Sequence, residues 1–365
     1  MNKLIVSTVL CSLFSICFVI GCQRTKAPAA PTSAPVQESS STREAPKCND
    51  CVTVTPENFA RAESDLYFSN ITKRGGFAKF SHNRTPTPID QQDIVRMNRD
   101  TLYSAAVFDL DAGPVTITLP DSGNRFMSTQ VIDEDEYTPM VVYGKGVYPL
   151  TKDKVGTRYV LAAVRILANA NDQQDLDGVH KLQDGIHVAQ KNPGTLEIPK
   201  WDKASQDKMR EALTALASTI TGFSNAFGTK QQTDPIMHLI GAAVGWGGNP
   251  DKDAKYLNLN VSNDDGKQVY KLTVKDVPVD GFWSASVYNA KGYFEKNPDN
   301  AYSINNITAK KNDDGSVTVQ FGGCNGAIPN CIPTPKGWNA TVRLYRPRPE
   351  ILTGKWNFPE LQPVS

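Results

Sequence analysis

Three groups of residues carry the side chains from which chemistry could be built. The first is "RMNRDTLYSAAVFDLDAG" at 96–113, where Asn98, Arg99, Asp100, Thr101 and Tyr103 stand at the start of an apolar run. An amide, a guanidinium, a carboxylate and a phenol this close together offer donors, acceptors and a fixed charge, the set that grips a polar ligand. The same residues have a purely architectural use. Asp100 and Thr101 ahead of a strand can satisfy backbone donors in a turn, and Arg99 or Arg96 can pair with a carboxylate. The second group is "DEDEY" at 133–137. Clustered carboxylates suit calcium, or the acid and base of sugar hydrolysis. The run lacks the interleaved Asp and Asn spacing of a calcium loop, so a solvated loop is the expectation. The third is a set of aromatics late in the chain: Phe282, Trp283, Tyr288, Tyr293, Phe294, Tyr302, Trp338, Tyr345 and Trp356. Strand alternation sends Trp283 and Tyr288 to opposite faces, so one face is core and the other is available to a ring-shaped or apolar ligand. Trp283, Tyr288, Tyr302 and Arg343 are the candidates to face a floor of Asn98, Arg99, Asp100 and Tyr103 across a cleft between two domains, where pockets tend to form.

Other chemistries lack their signatures. There is no GxSxG, and the nearest stretch, "GFSNAF", lacks the second glycine, so a serine hydrolase is not indicated. The four histidines, His82, His180, His187 and His238, form no HExxH. His180 and His187, seven apart on one predicted helix, flank the apolar stripe of Leu176, Val179 and Ile186 and read as boundary residues rather than metal ligands. No P-loop or GxGxxG is present, and "GWGGNPDKD" at 245–253 ends a predicted helix instead of opening one, so nucleotide use is not expected. The sequence calls for no cofactor and no metal. Lys plus Arg total 39 against 38 Asp plus Glu, a balance that gives no electrostatic handle for nucleic acid.

The first residues set the expected address. Lys3 precedes the uncharged apolar run "LIVSTVLCSLFSICFVI", and "VIGC" at 19–22 resembles the lipobox of bacterial lipoproteins, with Gly21 at the cleavage point and Cys22 as the lipidated N-terminus. An uncleaved anchor or a plain secretory signal is the alternative. Gln23 after the cysteine resembles outer-membrane sorting in a cell with two membranes. The expectation is a 1–21 lipoprotein signal peptide, then a 22–47 Pro/Ala/Ser tether with no aromatic residue and only Val36 among the larger aliphatics, too poor in apolar surface to order itself. As a flexible coil of about 25 residues it spans roughly 28 Å. The partner so implied is a membrane, reached through the lipid, at the cell envelope. Four cysteines remain in two close pairs, Cys48 with Cys51 and Cys324 with Cys331, read as disulfides outside the cytosol. A redox CxxC, cross-pairing between the chain ends and a four-cysteine zinc site are the alternatives.

The elements that would position these groups divide the chain further. With 39% hydrophobic and 21% charged residues, the 365-residue chain has a globular balance and can build a substantial core. "TPENFARAESDLYFSNITKR" predicts a helix over about 56–70, capped by Thr55 with Pro56 in its first turn. "TLYSAAVFDL", "VTITLP", "RFMSTQVID", "PMVVYG" and "RYVLAAVRIL" read as strands joined by turn chemistry, an antiparallel domain over 48–170. A helical segment follows over 171–250, built from "DQQDLDGVHKLQDGIHVAQ", "SQDKMREALTALASTITGF" and "DPIMHLIGAAVGW". Strands return as "VYKLTV", "GFWSASVYN", "SVTVQFG" and "ATVRLYRP", a second antiparallel domain over 251–365. The expected class is mainly β with α (α+β): two β-sandwich or jelly-roll-like domains with helices between them.

"NRDTLYS", "FDLDAGPVTITLPDSGNRFMSTQVID" and "RYVLAAVRIL" resemble the bacterial domain-of-unknown-function family DUF 1254. "GFWSASVYNAKGYFEKNPDNAYSI", "NDDGSVTVQF" and "RLYRPRPEILTGKW" resemble its usual partner, DUF 1214. The resemblance implies a two-part, mainly β, commonly exported protein and no established reaction. The chain departs from the second family's pattern at Asn330, Cys331, Ile332 and Pro333, where Asn-Trp-Leu-Pro is usual, and at Ala301, where Arg is common. The expected function is a tethered envelope lipoprotein that binds a small molecule or glycan between its β-domains. An envelope hydrolase using cleft carboxylates and a scaffold lipoprotein are the rivals.

Overall fold

The computed structural model describes residues 48–92, 96–220, 222–259 and 261–364. The leader, the tether and Cys22 lie outside the described residues. Among the described residues no helix is long and apolar enough to cross a membrane.

The first half runs α1 (Phe59–Lys73), β1 (Ser81–His82), β2 (Thr101–Asp109), β3 (Val115–Leu119), β4 (Met127–Asp133), β5 (Met140–Tyr143), β6 (Gly146–Leu150), the one-turn α2 (Lys152–Val155) and β7 (Tyr159–Leu167). The middle contributes α3 (Gln173–Asp184), β8 (His187–Gln190), α4 (Lys203–Ala217) and α5 (Pro235–Gly245). The last third is β9 (Ala254–Leu259), β10 (Tyr270–Val274), β11 (Trp283–Tyr288), β12 (Ser303–Asn305), β13 (Val317–Phe321), β14 (Cys331–Ile332), β15 (Asn339–Tyr345), α6 (Pro349–Leu352) and β16 (Gln362–Pro363). The class is α+β and mainly β. Residues 47–365 form one compact unit.

Four sheets build two sandwiches. In the first, β1-β2-β7-β4-β5 covers β6-β3-β8; in the second, β12-β11-β15-β9 covers β14-β13-β10-β16. Named strands pair antiparallel except β13 with β14. The first core holds Leu102, Ala106 and Phe108 of β2, Val160, Val164 and Ile166 of β7, and Val115 and Ile117 of β3, closed by Leu176 and Val179 of α3. The second holds Trp283, Ala285 and Val287 of β11, Val342 and Leu344 of β15, Leu272 of β10 and Val319 of β13. Each is the inward half of an alternating strand pattern. Burying such faces removes roughly 1.5–3 kcal/mol of apolar exposure per large side chain.

The middle segment differs from the all-helical expectation. His187 does not share a helix with His180; it opens β8, which pairs with β3 and completes the first sandwich. Helix α3 stops at Asp184, and Gly185 then passes so close to Pro120 that an added Cβ would lie 3.0 Å from its ring. His180 bonds the Arg84 carbonyl at 2.6 Å, as a boundary residue should. Helices α3, α4 and α5 open with Asp172, Asp202 and Asp234, whose carboxylates accept from first-turn N–H groups. Helix α1 starts later than predicted because Asn58, not Thr55, occupies the cap position, its side chain accepting instead from the Thr55 N–H at 2.8 Å.

Both expected disulfides, Cys48–Cys51 and Cys324–Cys331, are formed. The second ties the loop after β13 to buried Cys331 of β14. Replacing Cys324 and Cys331 by Ser should lower stability by about 2–3 kcal/mol, the loop-closure value for so short a ring. Urea midpoints of the double variant and the parent check this.

Candidate functional site

Each sandwich has a second face, turned away from its own core; part of it is apolar, with Val107, Ile132 and Leu161 packed on Phe68 of α1 and Phe282 and Tyr345 packed on Phe126 and Leu167, and beside these patches run polar rows. Strand register sets Tyr103 of β2, Arg165 of β7, Ser128 of β4 and Tyr143 of β5 in one row across the first sheet. A matching row on the second sandwich runs Asn305 of β12, Ser284 of β11, Arg343 of β15 and Tyr256 of β9. Arg165 and Arg343 therefore hold equivalent places, each on a strand with neighbours on both sides. Both are buried, at 7% and 4% exposure, where a charged side chain is rarely found without a partner.

The stretch 96–100 fastens one row to the other. Arg343 Nη2 donates to the Arg96 carbonyl at 2.7 Å and to the Tyr288 hydroxyl at 2.7 Å, and Nη1 donates to Ser286 Oγ at 3.1 Å. The Tyr288 hydroxyl donates to the Met97 carbonyl at 2.8 Å, and Asn98 Nδ2 donates to the Tyr345 hydroxyl at 2.8 Å. Asp100 Oδ1 accepts from Asn305 Nδ2 at 3.0 Å and from Ser303 Oγ at 3.2 Å. Its other oxygen, Oδ2, is buried with no hydrogen-bond partner, and so is Ser284 Oγ.

Of the candidates from the sequence, Asn98, Asp100, Tyr288 and Arg343 thus meet directly. Arg99 lies beside them, bonded to the Thr87 carbonyl and held over the Tyr302 ring at 5.4 Å from its centroid. Tyr288 and Tyr302 line a crevice of about 10 Å³, room for one water. Tyr103 is displaced along the seam to Arg165, whose guanidinium sits 5.3 Å from its ring centroid. Trp283 is elsewhere: it points into the second core, toward Phe358.

Arg165, Tyr256, Gln130 and Gly247 were not singled out from the sequence. Arg165 donates to Gln130 Oε1 at 2.8 Å and to the Gly247 carbonyl at 3.2 Å. Burial works against its charge, but the surrounding phenols Tyr103, Tyr345 and Tyr256 outweigh it and keep the guanidinium protonated. The same opposition holds for Arg343, where Tyr288, Tyr345 and Asp100 prevail over burial. Burial, and then the neighbouring Tyr256 and Tyr103, push the Tyr345 phenol far above its ordinary range, so it is a neutral hydroxyl at physiological pH.

The Gly-rich loop that follows α5 supports this arrangement. Gly247, at φ 75°, turns its N–H to Glu136 Oε1 at 3.0 Å and its carbonyl to Arg165. A Cβ on Gly248 would fall 2.4 Å from the Phe227 ring. Gly248→Ala should therefore cost about 1–3 kcal/mol by overpacking, and it should loosen the backbone that holds Arg165. Thermal denaturation of the variant reads the first effect.

The run 133–137 is not the solvated loop its composition predicts. Asp133, Glu134 and Glu136 are buried, together with Glu63 and Asp65 of α1. The reversal has a physical cause: the run turns the chain from β4 toward β5 beneath α1 and α5, and local donors there replace water. Asp133 Oδ1 accepts from the N–H groups of Asp135 and Tyr137, both at 2.9 Å, and Glu134 Oε2 accepts from the Tyr159 N–H at 2.9 Å. Glu63 is bound by Arg210 and by Gln206, the latter at 2.7 Å. Burial still raises the acids, Asp65 to about 6 and Asp133 to about 7, with Glu136 pushed well above its usual range. Among the described residues no group of these side chains is arranged to hold a metal ion.

Fold and seam together define a protein of two β-sandwiches joined by a helical segment, with a polar junction between the sandwiches. Residues 77–146 match the family described as Protein of unknown function (DUF1254), and residues 254–349 match Protein of unknown function (DUF1214), so the chain carries a match to each in that order. The two matches contain the 96–100 stretch, Tyr256, Tyr288, Arg343 and Tyr345, whereas Arg165 lies between them. The VPA0106 protein from Vibrio parahaemolyticus is similar in fold, with a TM-score of 0.62 at 18% identity over 85% of this chain and 98% of that one. A putative uncharacterized protein from Burkholderia cenocepacia gives a TM-score of 0.49 at 13% identity, over 84% of this chain and 88% of that one. No curated protein matches the chain.

Proposed function

We propose that this chain is an envelope lipoprotein that binds a small molecule at the seam between its two sandwiches. The address is supported by the apolar leader, the "VIGC" motif ending at Cys22 and the paired cysteines. The binding role is carried by one observation: where two sheets abut and apolar packing is the ordinary solution, each presents a buried arginine in a row of hydroxyl and amide side chains. Tyr103, Tyr143 and Tyr256, all half-buried, give the rows a solvent-facing edge. A polar small molecule suits such a lining better than an extended apolar one.

The test is extraction. Protein purified from its own cells should lack Met1, carry acyl groups on Cys22 and release a small molecule on denaturation, detected by mass spectrometry. Arg165→Met protein, purified in parallel and still folded by circular dichroism, should release none of it. Identical extracts from both proteins would remove the seam from consideration.

A hydrolase remains the second reading because Asp133 and Asp65 titrate near neutrality, the range of a general acid. They lie under α1 and not in the seam, so glycan turnover abolished by Asp133→Asn and untouched by Arg165→Met would favour it.

A further inference from the structure

The chemistry of the seam selects among ligands. Tyr103 stands opposite Arg165 on neighbouring strands with its ring centroid 5.3 Å from the guanidinium, Tyr256 stands opposite Arg343, and Tyr256 packs with Tyr345 in one cluster that also holds Leu167 of β7. Two of the hydroxyls serve as acceptors, Tyr345 from Asn98 at 2.8 Å and Tyr256 from Asn249 Nδ2 at 3.0 Å. None donates its own proton to an acceptor among the described residues. Tyr143 and Tyr288 at the rim behave otherwise, donating to Asp253 at 2.8 Å and to the Met97 carbonyl at 2.8 Å. Three uncommitted O–H donors beside one guanidinium form a receptor for an oxyanion.

The formal charge agrees. Arg165 and Arg343 bring two positive charges into the seam, and neither forms an ion pair among the described residues; their partners are carbonyls, hydroxyls and an amide. Asp100 is the one carboxylate that acts on Arg343, through space. Asp253 is answered by Lys252 and Arg346 and by the Tyr143 hydroxyl. Asp100 acts on the neighbouring Arg99 as well, so the seam keeps an excess of positive charge, and a buried charge calls for a counter-charge.

We infer that the seam's ligand is a small organic acid whose single carboxylate is received by the Tyr103, Tyr256 and Tyr345 hydroxyls and the Arg165 guanidinium. This rests on the seam being the ligand site. A planar carboxylate matches the forked donors of arginine, and the tyrosine rings supply apolar walls for its carbon skeleton. A neutral sugar would leave the charge unanswered.

The experiment measures binding to the full-length protein, by calorimetry at fixed ionic strength, of two acids and their uncharged counterparts: benzoate with benzamide, and butyrate with butyramide. At least one acid should bind at least ~10-fold more tightly than its amide, the discrimination a charge-assisted hydrogen bond supplies. Tyr103→Phe, which keeps the ring beside Arg165 and removes only the hydroxyl, should weaken that acid by ~10-fold, and Arg165→Met should abolish its binding. Equal binding of acid and amide, both weakened by Tyr103→Phe, would overturn the carboxylate assignment and leave the seam as the ligand site. Binding indifferent to both substitutions would overturn the site as well. No binding of any probe, with the extraction yielding an uncharged molecule dependent on Arg165, would again sink only the carboxylate.

Discussion

Arg343→Met should destabilise the protein by about 3–5 kcal/mol, the cost of removing one member of a buried charged network. The methionine fills similar space but donates nothing. It strands the Arg96 carbonyl and Ser286 Oγ and takes from the Tyr288 hydroxyl its donor. It also leaves Asp100, 1% exposed and already carrying one unpartnered oxygen, without the nearest positive charge. In a unit of this size each kcal/mol moves the melting temperature by roughly 2–4 °C, so a fall on the order of 10 °C is expected. Arg343→Lys should recover part of it, because the charge returns while the fork that reaches two carbonyl and hydroxyl acceptors at once does not. A drop under about 1 kcal/mol for the methionine variant would show that water satisfies the stranded groups, and the seam would then be a wet interface and not a dry polar lock.

The arginines show how far the sequence can be read. "RYVLAAVRIL" and "ATVRLYRP" read as strands from their β-rich composition and the turns between segments, and both are. Within each, one guanidinium interrupts residues that are otherwise buried on both faces, and that interruption was the available signal for Arg165. It went unused because a strand buried on both faces shows no period from which an outward position can be assigned. The 96–100 cluster was found because several polar residues crowd one short stretch, although its partners Asn305, Ser303 and Tyr288 lie some two hundred residues away. Trp283 was assigned to the ligand side because alternation separates it from Tyr288 without saying which of them faces the core. Strand β8 was hidden for a different reason. "HVAQ" follows a well-capped helix at helical spacing, and only the need of β3 for a second neighbour makes it a strand. The acidic run misled most, since composition predicts solvation while the topology roofs it with α1 and α5.

That roof makes the second large effect a dependence on pH. Burial raises Asp133 to about 7 and Asp65 to about 6, lifts Glu134 and holds Glu136 well above its usual range, whereas in the unfolded chain such groups titrate near 3.9 for Asp and 4.3 for Glu. A carboxyl whose folded value lies above its unfolded one contributes stability that is fully present below the unfolded value and is lost as pH rises through the folded value. Stability carried by this cluster should therefore fall between about pH 4 and pH 8, most steeply near 5 to 6, where the acids are still protonated in the folded protein and ionised in the unfolded chain. Asp109 and Asp175 work in the opposite sense: burial opposes their charge, but Arg158 and Arg125 hold them below the ordinary range, and their contribution is lost only in stronger acid. Asp133→Asn keeps the oxygen that accepts from the Asp135 and Tyr137 N–H groups and removes the proton whose loss is penalised. Glu136→Gln likewise keeps the acceptor for Gly247 and places an amide where Oε2 has no partner. Each variant should gain about 2 kcal/mol or more over the parent at pH 8 and little at pH 5, measured as urea midpoints across that range. Arg61 of α1 pairs with Glu134 and Asp135, Arg210 of α4 with Glu63, and His238 of α5 bonds the Asp135 carbonyl, so the cations facing the cluster pair with other members; Arg61 and the backbone donors lower Asp133, and the Gly247 N–H lowers Glu136, by less than burial raises them. Parallel pH profiles for parent and variants would mean that water reaches the cluster under α1, and the general-acid reading of Asp133 would fall with its raised pKa.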